Sequence, residues 1–226
     1  MTTYGVLGTG VVGQTFAAKL AALGHEVRMG TRDVAAARAR TEPGQAGAEA
    51  LGPWLEAHPE VHLATFANAV AGSEILINAT SGSASVDVLH AANLDGFEGK
   101  ILIDLGNPLD FSSGQLDLTV KITDSLGETL QREFPNVRVV KALNMMTAAV
   151  MVDPASVGGG EHTAFIAGNH EAAKSVVTTL LHSFGWRDVR DLGDISGARG
   201  MEAYLVLWVR GMQAFGTPMF NIKLVV

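Results

Sequence analysis

The stretch from Tyr4 to Gly13 runs a short apolar strand into the spacing G-x-G-x-x-G, which constrains the backbone more than any other part of this chain. Gly8 permits a tight turn, Gly10 lets the main chain approach a pyrophosphate, and Gly13 lets the following helix pack closely on the strand. Backbone N–H groups and the positive end of the helix dipole then face an anion. The context agrees: Val12, Phe16, Leu20 and Leu23 share a helical face, Gly24 supplies a stop, and Glu26 to Met29 starts a second strand. The competing account is a glycine-rich turn that holds nothing; the strand and helix around it favour a dinucleotide.

The residues just after the second strand select the nucleotide. NAD sites usually place Asp or Glu about 20 residues after the fingerprint, on the ribose 2′-hydroxyl. Here the sequence is Gly30-Thr31-Arg32. A carboxylate would repel a 2′-phosphate, whereas Arg32 offers a planar, permanently charged fork and Thr31 a hydroxyl. NADP is therefore expected over NAD. Arg28, Arg32, Arg38 and Arg40 crowd a segment whose only acid is Asp33, although the whole chain carries a net charge of −7. Arg38 and Arg40 are read as solvating a helix face, and Arg32 as the phosphate ligand.

The 226 residues, 47% of them hydrophobic, suffice for one large α/β domain, with 196–226 as a C-terminal helix and tail appended to it. Without cysteine there is no disulfide or thiolate chemistry, which suits a reducing cytoplasm. Neither a charged leader nor an apolar run of spanning length is read, so no membrane is expected. The acidic balance argues against nucleic acid as partner. His58 and His62 flank Pro59, which disfavours a shared helix, and no metal site is expected.

Strand and helix patterns alternate, as in a doubly wound, mostly parallel sheet of the Rossmann type. Thr41 to Pro59 reads as a loop excursion with one short helix. Strands are expected over Val61–Thr65, Glu74–Ala79, Lys100–Leu105, Val137–Leu143, Thr163–Ala167 and Asp188–Asp191. Helices are expected over Phe66–Ala71, Val86–Ala92, Asp124–Phe134, Glu171–Phe184 and Gly200–Gln213, and Phe220–Val226 looks extended. Ligands of such sheets lie beyond the carboxyl ends of the strands. Thr80, Asn107 with Pro108, and Asn144 to Thr147 fall there; ordinary turn chemistry is an equal account of Asn107 and Pro108.

The Gly-Thr-Gly grip, Gly30-Thr31-Arg32, the run from Val139 to Asn144 and the closing Phe220-Asn221-Ile222-Lys223 resemble the NADP reductases that use the 5-deazaflavin coenzyme, factor 420. The resemblance spans essentially the whole chain. It implies NADP contacts from Thr9, Gly10, Val11 and Val12, from Thr31 and Arg32, and from Thr80, Ala84, Asn107 and Ala148. Two departures stand out. A lysine that assists the 2′-phosphate in some members falls at Ala36, leaving more to Arg32 and to Arg38. A histidine near the flavin carbonyl falls at Asn144, which bonds but holds no charge.

Hydride transfer from the nicotinamide C4 of NADP to a stacked planar acceptor, a 5-deazaflavin or a flavin as second substrate, needs little acid or base help. Asn144 and Thr147 would orient that small-molecule redox partner. Met145, Met146 and the Gly200–Gln213 helix would wall it, unless that stripe is core or the interface of a homodimer. The rival reading is a carbonyl or imine reductase with Lys141 as proton donor; a third is a module that senses NADP without turnover. Arg32→Asp is expected to weaken NADP far more than NAD in a binding titration, because a contact becomes a repulsion. Equal losses for both nucleotides would refute the 2′-phosphate role.

Overall fold

A computed structural model describes residues 1–96, 98–110, 117–120 and 122–226. In chain order the elements are β1 (Thr3–Leu7), α1 (Val11–Ala22), β2 (Glu26–Thr31), α2 (Val34–Arg38), α3 (Leu51–Ala57), β3 (Val61–Thr65), α4 (Phe66–Ala71), β4 (Ile75–Asn78), α5 (Ser85–Ala91) and β5 (Ile101–Asp104). The second half adds β6 (Leu109–Asp110), β7 (Asp117–Leu118), α6 (Leu126–Glu133), β8 (Arg138–Ala142), α7 (Ala148–Val152), β9 (Thr163–Gly168), α8 (Glu171–Ser183), β10 (Asp188–Asp191) and α9 (Ala198–Phe215).

Eight strands form one sheet in the order β10-β9-β8-β5-β4-β1-β2-β3, and β6 and β7 pair separately. The central strands are apolar over most of their length because both faces are covered, with Asn78, Asp104 and Lys141 toward their carboxyl ends as the buried polar exceptions. Ile75 and Ile77 of β4 enter one core with Val6, Met29 and Val140, while Leu76 between them enters the opposite core with Leu102 and Val139. Phe16 and Leu20 of α1 and Val177 of α8 close the first core; Leu89 of α5 and Leu130 of α6 close the second. Strand order reverses between β1 and β4, which opens a crevice at their carboxyl ends, where such folds bind ligands.

Most expected elements are present within a residue or two, and the differences have local causes. Ser125, not Asp124, caps α6, with its hydroxyl accepting from Glu128 N at 3.0 Å; Asp124 pairs with Arg132 at 2.7 Å instead. β9 runs antiparallel to β8. The connection between them holds only the short α7, then Pro154 and three glycines at 158–160 with φ of +52°, +61° and +83°, so no helix spans the sheet and the chain turns back. The Phe220–Val226 segment forms no regular strand. It docks through Ile222 O, which accepts from Thr163 N at 2.9 Å, and through Lys223, paired with Asp188 at 2.8 Å.

Lys141 shows no exposed surface. Its ammonium lies 2.8 Å from Asp104 Oδ2 on β5 and 2.8 Å from Glu202 Oε1 on α9. Asp104 also accepts from Asn78 Nδ2 at 2.8 Å, and Glu202 accepts from Leu126 N and Gly127 N at the start of α6, at 2.8 and 3.1 Å. Burial alone disfavours the charge on Lys141, but the two carboxylates outweigh it and hold the pKa above the usual lysine value. Lys141, the proton donor of the rival reading, therefore sits as a buried cation paired with two carboxylates and shows no exposed surface.

With a raised folded-state pKa, the lysine's contribution to stability is complete below the ordinary lysine range and is lost as pH climbs past it. Lys141→Met leaves two buried carboxylates without a cation. Urea unfolding is expected to show a loss of about 3 to 5 kcal/mol; a change under about 0.5 kcal/mol, the scale of a neutral surface substitution, would contradict the account.

Candidate functional site

The glycine turn between β1 and α1 forms the floor of the site. Gly8 has φ +122°, and a Cβ there would lie 2.4 Å from Ala79 O; a Cβ on Gly13 would lie 2.1 Å from Gly8 O. A Cβ on Gly10 would meet nothing within 4 Å, so that position faces open space. Gly10 is the N-cap of α1, supplies no side-chain cap, and no acid stands in the first turn. The helix end with Val11 and Val12 is therefore a ready anion site. Gln14 steadies it: Nε2 donates to Glu49 O at 3.0 Å, and Glu49 N donates back to Oε1 at 3.0 Å. In the sequence Gln14 is only a polar residue on an otherwise apolar helix face, with nothing to mark its role.

Beside this turn a cleft of about 370 Å³ is lined by Thr9, Thr31, Arg32, Ala36, Arg40 and Phe66, among others. Thr31 is buried and Arg32 exposed at the end of β2. Arg40 does not simply solvate a helix face: Nη2 donates to Thr9 Oγ1 at 2.7 Å. Arg38 is exposed and is not among the residues that line the cleft. Arg28 turns to Glu26, 2.7 Å away. A second cavity of about 570 Å³ lies across Arg40 from the first and includes Thr9, Gly10, Gln45 and Glu49 in its wall.

The loops after β4, β5 and β8 meet at the other end of the crevice. Thr80 Oγ1 donates to Asn78 Oδ1 at 2.6 Å and lies 3.0 Å from Ser85 Oγ. Gly82 packs so tightly under Asn107 that a Cβ would fall 2.1 Å from Asn107 O, which draws Ala84 and Asn107 to one rim. Asn107 and Asn144 then bind reciprocally: Asn107 Nδ2 donates to Asn144 O at 2.9 Å, and Asn144 Nδ2 to Asn107 Oδ1 at 2.8 Å. Leu143, with φ +55°, makes the left-handed step that turns Asn144 off the strand.

Asn144 is almost wholly enclosed; Nδ2 also donates to Met201 O at 3.1 Å, while Oδ1 is buried without a partner. Thr147, half-buried, starts α7 without using its hydroxyl as a cap, and Ala148 comes next, where α7 packs on α1. Thr80, Ala84, Asn107 and Asn144 thus converge, while Lys141 lies sealed beneath them. Asn78, Asp104 and Glu202 carry that polar layer and leave no signal in the sequence, because their partners lie on separate elements. Among the described residues, no cluster of three or more His, Cys, Asp or Glu suits a metal ion, and no helix is long and apolar enough to cross a membrane.

The family described as NADP oxidoreductase, coenzyme F420-dependent, matches residues 3–108. A crystal structure from Arthrobacter sp. FB24, provisionally named an F420-dependent NADP-reductase, is 51% identical over 100% of both chains, with a TM-score of 0.95. The hypothetical protein SMa0349 from Sinorhizobium meliloti shares the fold at 22% identity and TM-score 0.69, covering 100% of this chain and 96% of its own. An imine reductase from Pseudomonas sp. shares it at 18% identity and TM-score 0.65, covering 95% of this chain but 63% of its own. Among curated proteins there is no match. With half its residues identical to the Arthrobacter protein from end to end, this chain belongs to the coenzyme F420-dependent NADP oxidoreductase family.

Proposed function

We propose that this NADP-dependent oxidoreductase transfers hydride between the nicotinamide and the planar ring of a 5-deazaflavin such as coenzyme F420. The observation that carries the proposal is the enclosure of Lys141 between Asp104 and Glu202 in one buried network, which takes the lysine of the rival reading away from solvent. Reduction of a carbonyl or imine needs a proton delivered at the reacting atom. Hydride transfer between stacked rings draws chiefly on proximity and alignment.

The residues present fit NADP. The open position at Gly10 and the uncapped start of α1 suit a pyrophosphate, and Thr31 and Arg32 suit the 2′-phosphate. Bound NADPH supplies the hydride from its nicotinamide C4. Thr80, Ala84, Asn107 and Ala148 form the rim against which the nicotinamide ribose lies, Thr147 orients the acceptor, and Asn144, enclosed behind Asn107, positions that rim. The exposed apolar residues Val206, Leu207 and Phe215 of α9 support a homodimer, and the cysteine-free composition suits a cytoplasmic setting.

Steady-state NADPH oxidation is expected with a 5-deazaflavin acceptor, with much slower turnover on small carbonyls and imines. Turnover on the latter alone would overturn the proposal, and tight NADPH binding with no turnover on any acceptor would favour the sensing module. Thr147→Val is expected to raise KM for the deazaflavin several-fold and leave KM for NADPH unchanged; the opposite pattern would remove Thr147 from the acceptor site.

A further inference from the structure

We propose that Arg40 is a second guanidinium of the 2′-phosphate site and sets the preference for NADP over NAD together with Arg32. The inference rests on the assignment of NADP to the cleft beside the glycine turn.

The charge balance of that cleft calls for it. Thr31, Arg32, Asp33, Ala36 and Arg40 all line it. Asp33 Oδ1 caps α2 by accepting from Ala36 N at 2.9 Å, which fixes a carboxylate on the wall. Arg32 and Asp33 alone therefore sum to zero charge around a group that carries about −1.5 to −2 as a phosphate monoester at neutral pH. Ala36 contributes no charge. Arg40 makes the wall positive.

The side chain is also available. Among the described residues neither Arg32 nor Arg40 forms an ion pair; Arg28, Arg132, Arg187, Arg190 and Arg199 do, and of the remaining arginines without one, Arg38, Arg138 and Arg210, none lines the cleft. Arg40 is exposed and uses only Nη2, on the neutral hydroxyl of Thr9, so most of its fork is unengaged. A doubly charged phosphate is a far stronger acceptor than a hydroxyl. The backbone beneath is anchored, with Arg40 N donating to Ala37 O at 3.2 Å and Gly52 N donating to Arg40 O at 2.9 Å. The guanidinium can thus swing from Thr9 toward Arg32 while its Cα stays in place. Because Thr9 belongs to the glycine turn, the same contact ties the pyrophosphate loop to the adenosine end.

The test is calorimetric titration of wild type, Arg40→Ala, Arg40→Lys and Arg32→Ala with adenosine 2′,5′-bisphosphate and with 5′-AMP, thermal melting confirming that each variant is folded. Arg40→Ala is expected to weaken the bisphosphate about 10- to 100-fold and to change 5′-AMP by less than about twofold, with Arg40→Lys in between and a flatter salt dependence than wild type. Equal losses for both ligands, or no loss for the bisphosphate, would overturn the role of Arg40. If the preference vanishes in Arg32→Ala but survives in Arg40→Ala, only the Arg40 inference falls. If wild type itself fails to prefer the bisphosphate, the NADP assignment falls with it.

Discussion

Two backbone contacts at the switch point hold the rest of the structure in place. The carbonyl oxygen of Gly8 lies 2.1 Å from where a side chain at position 13 would begin, and that of Ala79 lies 2.4 Å from the same point on Gly8. These approaches bring β1, α1 and β4 together closely enough to leave a crevice with a backbone floor. A methyl group at position 8 or 13 would push the elements apart. Gly10, between them, has no such neighbour, so the geometry that demands glycine on either side does not demand it there. What the middle glycine keeps clear is the approach of a ligand to the uncapped start of α1.

Charge is divided between the two ends of the crevice according to burial. Beneath the strand ends a cation is sealed between two carboxylates, and those carboxylates also accept from Asn78 and from the first N–H groups of α6. Such a cluster is costly to break, because removing one partner leaves the others buried without a counter-charge. It ties α9 to the sheet and sets the layer on which Thr80 and Asn107 rest. In the cleft beside the glycine turn Arg32 and Arg40 are exposed and form no ion pair among the described residues, as the proposed 2′-phosphate site requires. The sealed charges organise the fold; the open ones are left for recognition.

How far the sequence alone reaches is explained by the range of the interactions involved. The central strands are legible because a sheet covered on both faces needs apolar runs such as residues 75–77 and 101–103. The glycine turn is legible because its spacing is local, with Gly13 packed on the carbonyl of Gly8 earlier in the same turn. The reversal of β9 is not, since it depends on where the chain can go after Pro154 and the glycines at 158–160. Lys141 reads as a possible acid because its acceptor Glu202 lies 61 positions away on another element, and nothing near it in the chain announces the pair. Arg40 reads as a solvated residue because its place over Thr9 exists only once the segment before α3 has folded back.

The central claim is that the glycine turn is a dinucleotide cradle whose single open position is reserved for ligand. Calorimetric titration of NADPH into Gly10→Val tests it most directly. The substitution removes a favoured N-cap residue and is expected to cost about 1 kcal/mol, or a melting shift of about 2 to 4 °C. NADPH affinity is predicted to fall by well over about tenfold, as a branched side chain occupies the path to the helix N-terminus. Unchanged affinity in that folded variant would contradict the account.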